Sequence, residues 1–221
     1  MLRIVFGIPP AEVAGTSLLL VLANTASSTF GFWRAKMLDV RLSVPYAIGA
    51  LPGSILGVIA VRHTSAPVFD IVYGGVLVMN AILVLRRRGI ASRPAGERTF
   101  SHAWQVGLIA GLGIGFFSSA FGIGAGIVLI PLMLIAARMP PLVVATTSAF
   151  VVTITAPVGI VAHALSGDVD WPLAVPLVAG GLVGGAIAPE IARRVSSPRL
   201  ITLLAIALMI AAAGLILRHV I

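Results

Sequence analysis

The chain contains no cysteine, so disulfides, thiolate metal sites and cysteine redox chemistry are excluded. Charge is scarce too. Asp, Glu, Lys and Arg make up 10% of 221 residues, where a soluble domain keeps roughly a quarter. So little charge could not cover a water-facing surface. Aromatic residues reach only 6%. No HExxH sequence and no paired central aspartates appear, which removes the common metal-hydrolase signatures. No cleavable signal peptide is expected, because Met1 runs within a few residues into "PPAEVAG" without a charged region, an apolar stretch and a small-residue site.

What fills the chain is apolar: 59% hydrophobic residues and a mean hydropathy of +1.11. The apolar residues form continuous runs at 10–32, 42–62, 66–85, 103–137, 140–165, 171–192 and 198–217. About 20 residues span a bilayer as a helix, and only helices or closed barrels satisfy the backbone in lipid. Barrel strands would alternate, and these runs do not. The expectation is an all-α, polytopic membrane protein with about seven membrane segments. The net charge of +8 would suggest nucleic acid in a soluble protein. Here the basic residues sit at the ends of apolar runs, so the partner is a lipid bilayer and no nucleic acid is expected.

The chain nearly repeats a phrase: "PPAEVAGTSLL" from Pro9 and "PPLVVATTSAF" from Pro140. An offset of 131 aligns Pro9–Arg62 with Pro140–Arg193 without a gap, giving 15 identities in 54 positions. Shared Val and Leu mean little in so apolar a chain. Paired Pro-Pro, Thr16-Ser17 with Thr147-Ser148, Asp39 with Asp170, Pro45 with Pro176, and Gly49 and Gly53 with Gly180 and Gly184 mean more. Two repeats are therefore expected: residues 1–88, then a cytoplasmic linker at 89–102, then residues 103–221. The counterparts of residues 102–131 would fall before Met1, so the first repeat is expected to lack its opening segment.

The run at 103–137 is too long for one crossing. Its 35 residues would make a helix of roughly 50 Å against a hydrocarbon core of about 30 Å. "FGIGAG" at 121–126 supplies a break, since glycine is a poor helix former. One kinked crossing would split the Lys and Arg residues 9 to 6 between the two sides, whereas a segment that returns splits them 12 to 3. Positive residues concentrate on the cytoplasmic side, so inverted repeats are expected, with 166–171 external.

Inverted repeats recur in transporters that bind substrate at broken helices near the midplane. A glycine break followed by a half-helix offers free N–H groups to an anion. Gly122, Gly124, Ala125 and Gly126 form that candidate break, with a half-helix from Ile127. Helix packing through small residues is the competing reading. Thr147 and Ser148, and by symmetry Thr16 and Ser17, offer uncharged hydroxyl donors, unless they bond back to a carbonyl one turn earlier. Asn24 is either a ligand contact or an interhelical contact. Ser118 and Ser119 precede the break and take a lower rank. His163 is expected to make an interfacial hydrogen bond. Asp39 and Asp170 are expected to cap helices, and Glu190 to pair with Arg193 or Arg194. Ser148 and His163, 15 residues and roughly 22 Å apart on one helix, cannot form a nucleophile–base pair, so no enzyme is expected.

"GLIAGLGIGFFSSAFGIGAGIVLIPLML", "PPLVVATTS" and "HALSGDVDWPLAVPLVAGGLVGGAIAP" resemble the TauE/SafE family, the sulfite exporters and toluene-sulfonate uptake permeases. The resemblance covers essentially the whole chain. It departs at the absent opening segment and at Ala125, where the family's second copy usually has glycine. It implies a multi-pass protein of the bacterial inner membrane that carries small sulfur-containing anions such as sulfite, thiosulfate or organosulfonates. It implies no cofactor and leaves room for a homo-oligomer. A non-transporting membrane scaffold and a carrier of another small anion are the alternatives.

Overall fold

The computed structural model describes residues 8–86, 100–122, 124 and 141–194. Among these residues the chain is wholly helical, in six helices: α1 (Pro10–Arg34), α2 (Val40–Arg62), α3 (Ala66–Arg86), α4 (Phe100–Phe121), α5 (Pro141–Leu165) and α6 (Trp171–Arg194). All but α3 hold a stretch long and apolar enough to cross a membrane; α3 contributes a shorter apolar stretch, Ala66–Met79. The run at 198–217 and the linker between α3 and α4 lie outside the described residues.

Local chemistry sets the helix ends. Pro10 and Pro141 open α1 and α5, where a missing N–H costs nothing. The paired aspartates act as N-caps, as expected. Asp39 Oδ1 accepts from Leu42 N at 3.1 Å, and Asp170 Oδ1 accepts from Leu173 N at 3.0 Å. Near the end of α6, Glu190 pairs with Arg194 one turn on.

Glycine governs how the helices meet. Gly49, Gly53 and Gly57 of α2 face the carbonyls of Leu108, Leu112 and Phe116 of α4 so closely that a Cβ on any of them would overlap the oxygen. Both series advance by four, so the two helices run parallel with backbone against backbone. Gly181 and Gly185 of α6 meet the carbonyls of Leu20 and Asn24 in the same manner, making α1 and α6 parallel as well. Small residues permit this approach, and in lipid the association rests on such packing. The core between the pairs holds Leu18, Tyr46, Ala50, Ile114, Val144, Val151 and Val152.

The loop after α5 marks one end of the bundle. Asp168 meets Gly15 near the start of α1 and Arg62 at the end of α2, and Ser119 near the end of α4 meets His163 of α5. Phe69 of α3 packs against Phe121 of α4, the rings tilted at 46°. Thus α1, α3 and α6 start at this end, whereas α2, α4 and α5 finish there. Outward faces are apolar, with Ile109 77% and Val175 71% exposed, as lipid contact requires.

Two glycines test the packing. Gly53→Ala forces a methyl into the Leu112 carbonyl and should cost about 1–3 kcal/mol. Gly180 has nothing within 4 Å, so Gly180→Ala should be neutral or stabilise by up to about 1 kcal/mol through helix propensity. Thermal unfolding in detergent reads both, and equal effects would contradict the α2–α4 contact.

Candidate functional site

The chain leaves α4 at a true break. Gly122 and Gly124 take φ of +63° and +81°, the left-handed region that glycine tolerates and other residues rarely adopt. Gly122 N still donates to Ser118 O at 2.9 Å, closing the last turn. Pure helix packing does not account for these two glycines, because neither lies inside a helix.

The break lodges between the repeated phrases. A Cβ on Gly122 would stand 2.6 Å from the Ala14 carbonyl and 3.0 Å from Ser17 Cβ. One on Gly124 would stand 3.0 Å from a Val21 methyl and 3.8 Å from a Val152 methyl. Val21 and Val152 are themselves a pair in the 131-residue alignment, so the chain enters where the two copies face each other. None of these four neighbours is charged. Ala125, Gly126 and the stretch from Ile127 lie outside the described residues.

The two Thr-Ser pairs differ. Thr16 is fully buried, and its Oγ1 accepts from Asp170 N at 3.0 Å, tying α1 to the start of α6. Ser17 borders Gly122. Thr147 is also fully buried, yet its Oγ1 has no hydrogen-bond partner among the described residues. Its neighbours on α5 do bond back: Thr146 to Val143 O at 3.0 Å, Thr153 to Ala149 O at 2.8 Å and Thr155 to Val151 O at 2.9 Å. Back-bonding thus explains the hydroxyls around Thr147 but not its own. Ser148 is nearly buried beside it.

These pairs do not converge. His163 packs against Gly15, next to Thr16, and Thr147 lies 16 residues earlier on α5, roughly 24 Å of helix away. The reason is direction: α1 starts where α5 finishes, so equal depths from opposite ends stay apart. At Gly122 the break lies beside Ser17 and at Gly124 it reaches Val152, one turn beyond Ser148, whereas Thr147 lies toward the other end of the bundle. One small anion cannot touch both pairs at once. Asn24 lies on the α1–α6 contact, its Nδ2 3.4 Å from the Cβ position of Gly184.

One hydroxyl ranked low in the sequence stands a turn before the break. Ser118 Oγ, one turn before Gly122, is buried without a partner among the described residues. "FFSSAFG" carries the signal, a serine pair running directly into the break. His163 makes the hydrogen bond expected of it, to Ser119 O at 3.1 Å, but from a fully buried position.

A helical bundle with apolar outer faces, entered by an uncharged glycine break, defines a multi-pass membrane protein. Comparison with known proteins then specifies the kind. The profile of the sulfite exporter TauE/SafE family matches residues 1–215, and the chain belongs to that family. It is similar to the probable membrane transporter protein YunE of Bacillus subtilis, 28% identical over 95% of this chain and 82% of the relative. A probable membrane transporter protein of Xylella fastidiosa is 25% identical over 90% of this chain and 77% of its own length. A second from Bacillus subtilis, YdhB, is 27% identical over 98% and 88%. No solved structure matches the chain.

Stability separates the two threonines. Thr147→Val keeps the shape and removes an unpaired buried hydroxyl, so the unfolding midpoint should hold or rise. Thr16→Val strips the acceptor from Asp170 N and should cost about 1–3 kcal/mol. Thermal unfolding of the purified variants checks the contrast. A loss for Thr147→Val as large as that for Thr16→Val would mean its hydroxyl has a structural partner.

Proposed function

We propose that this protein carries small sulfur-containing anions, of the sulfite, thiosulfate or organosulfonate class, across the bacterial inner membrane. The observation that carries the reading is the break at Gly122–Gly124, where the main chain leaves its helix among Ala14, Ser17, Val21 and Val152, none of them charged. An anion held by dipoles and hydroxyls is bound firmly enough to enter and weakly enough to leave, which suits a carrier better than a full counter-charge. Membership of the family named for sulfite export supports the substrate class.

The anion uses two stations in turn. The first lies at the break, with the main-chain amides that follow Gly122, whose own N–H stays on Ser118 O, and the hydroxyls of Ser17 and Ser118. The second lies at Thr147 and Ser148, toward the opposite end, where a buried hydroxyl has no partner among the described residues. Two facts support halves of inverted orientation: α1 starts and α5 finishes at the same end, and α2 finishes where α6 starts. The Arg34, Lys36, Arg41 and Arg194 end then faces the cytoplasm, and the Asp168 and Asp170 loop faces outward.

Flux assays test the reading. Proteoliposomes holding the protein should exchange radiolabelled sulfite or thiosulfate faster than empty vesicles. Thr147→Val combined with Ser148→Ala should slow exchange about tenfold or more, the worth of one to two charge-assisted hydrogen bonds, without loss of inserted protein. Rates equal to protein-free leakage would favour the scaffold. For orientation, cysteines at Lys36 and Ser166 should react with an impermeant reagent from opposite sides of the membrane. Labelling of both from one side would end the inverted arrangement.

A further inference from the structure

The reading above supplies no coupling group at the break, yet one buried titratable side chain stands a turn away. The end of α5 explains how it is held. Gly167 takes φ of +76°, Asp168 N donates to His163 O at 2.9 Å, and Gly167 N donates to Ala164 O at 3.1 Å. This is a Schellman motif, which folds the second residue past the cap back over the helix's third-last residue. Two apolar side chains usually meet there. Here the two positions carry His163 and Asp168.

His163 is 0% exposed. Its Nε2 must carry a hydrogen, since its partner at 3.1 Å is the Ser119 carbonyl, which can only accept. Its Nδ1 lies 3.5 Å from Asp168 Oδ2. Both of those atoms are buried, and neither has a hydrogen-bond partner among the described residues. Two acceptors therefore face each other across a gap that one proton on Nδ1 would bridge.

The surroundings define the charge at that point. Arg62 of α2 places its Nε 3.4 Å from the same Asp168 oxygen, half exposed, so the carboxylate is shared. Gly15 of α1 packs on the imidazole without a titratable group. The end of α4 contributes the Ser119 carbonyl, which accepts from Nε2. Asp170 turns its carboxylate to the start of α6. Ser119 lies three residues before Gly122, so His163 bonds directly to the last turn before the break.

We propose that His163 is the proton-binding residue that couples anion movement to a proton. This rests on the anion site proposed at Gly122–Gly124. An anion at the break and a proton on the imidazole attract each other through a medium of low dielectric, so each is held more firmly when the other is present. The proton goes to Nδ1, against Asp168 Oδ2, with Nε2–H remaining on the Ser119 carbonyl. By reciprocity, protonation strengthens anion binding by the same factor. Anion and proton are bound together and released together. Asp168 is a positioning residue for Nδ1, and Arg62 shares its carboxylate oxygen.

Calorimetric titration of the detergent-solubilised full chain with sulfite and with thiosulfate tests this, run in two buffers of different ionisation enthalpy at pH values on either side of 7, with proton uptake and pH profile read from thiosulfate because sulfite itself takes up a proton near neutrality. Each binding event should take up close to one proton, and affinity should fall up to tenfold per pH unit on the alkaline side. His163→Gln keeps an N–H for the Ser119 carbonyl but cannot titrate, so it should still bind the anion with proton uptake near zero and a flat pH profile. Asp168→Asn should at least halve the uptake. Binding by the unaltered chain with no buffer dependence overturns the coupling while leaving the anion site standing. Uptake unchanged in His163→Gln overturns the assignment to this residue. No binding of either anion at any pH overturns the anion site, and the coupling with it.

Discussion

Backbone must meet backbone in this protein, and only glycine allows it. In a bundle with so few charges, main-chain groups must be satisfied inside the helices or at their ends. Gly49, Gly53 and Gly57 press α2 onto the carbonyls of α4, and Gly181 and Gly185 press α6 onto those of α1. These contacts make two parallel helix pairs, set against each other through α1, α5 and α2. The same residue type then does the opposite at Gly122 and Gly124, ending α4 in a left-handed turn and lodging it between α1 and α5. Side chains at those positions would both separate the pairs and close the break.

The two copies of the Thr-Ser phrase show how one sequence pattern acquires two uses. Thr16 spends its hydroxyl on the Asp170 amide, which fixes the loop after α5 over the start of α1. Thr147, its partner in the alignment, spends its hydroxyl on nothing among the described residues. A buried hydroxyl without a partner is costly in a core this apolar, and a transient guest that accepts a hydrogen bond removes the cost while it is present. The proposed second station draws on that asymmetry.

Much of this was legible in the sequence because it is local. The Pro-Pro phrases, the Asp39 and Asp170 caps, the Glu190–Arg194 pair and the glycine break depend on residues within a turn of one another. Which helix lies against which was not legible, since a helix that is apolar all round has no stripe to mark its inner face. The separation of Thr16 from Thr147 followed from helix direction and from helices of 25 residues, longer than the hydrocarbon core is thick. His163 looked interfacial because it stands three residues before Ser166. The Gly167 turn that folds Asp168 back over it decides otherwise, and that turn can be recognised in "HALSGD" once glycine is read as the residue past a helix end.

The central claim is that an anion is met by the main chain at the break. It is tested most directly by following the amide nitrogen and proton resonances of Gly122 and Gly124, in protein labelled with ¹⁵N-glycine, as sulfite is added. The account predicts that both move and saturate together while the amide of Gly180, far out on α6, stays still. Unmoved resonances at Gly122 and Gly124, in protein that still transports sulfite, would contradict it.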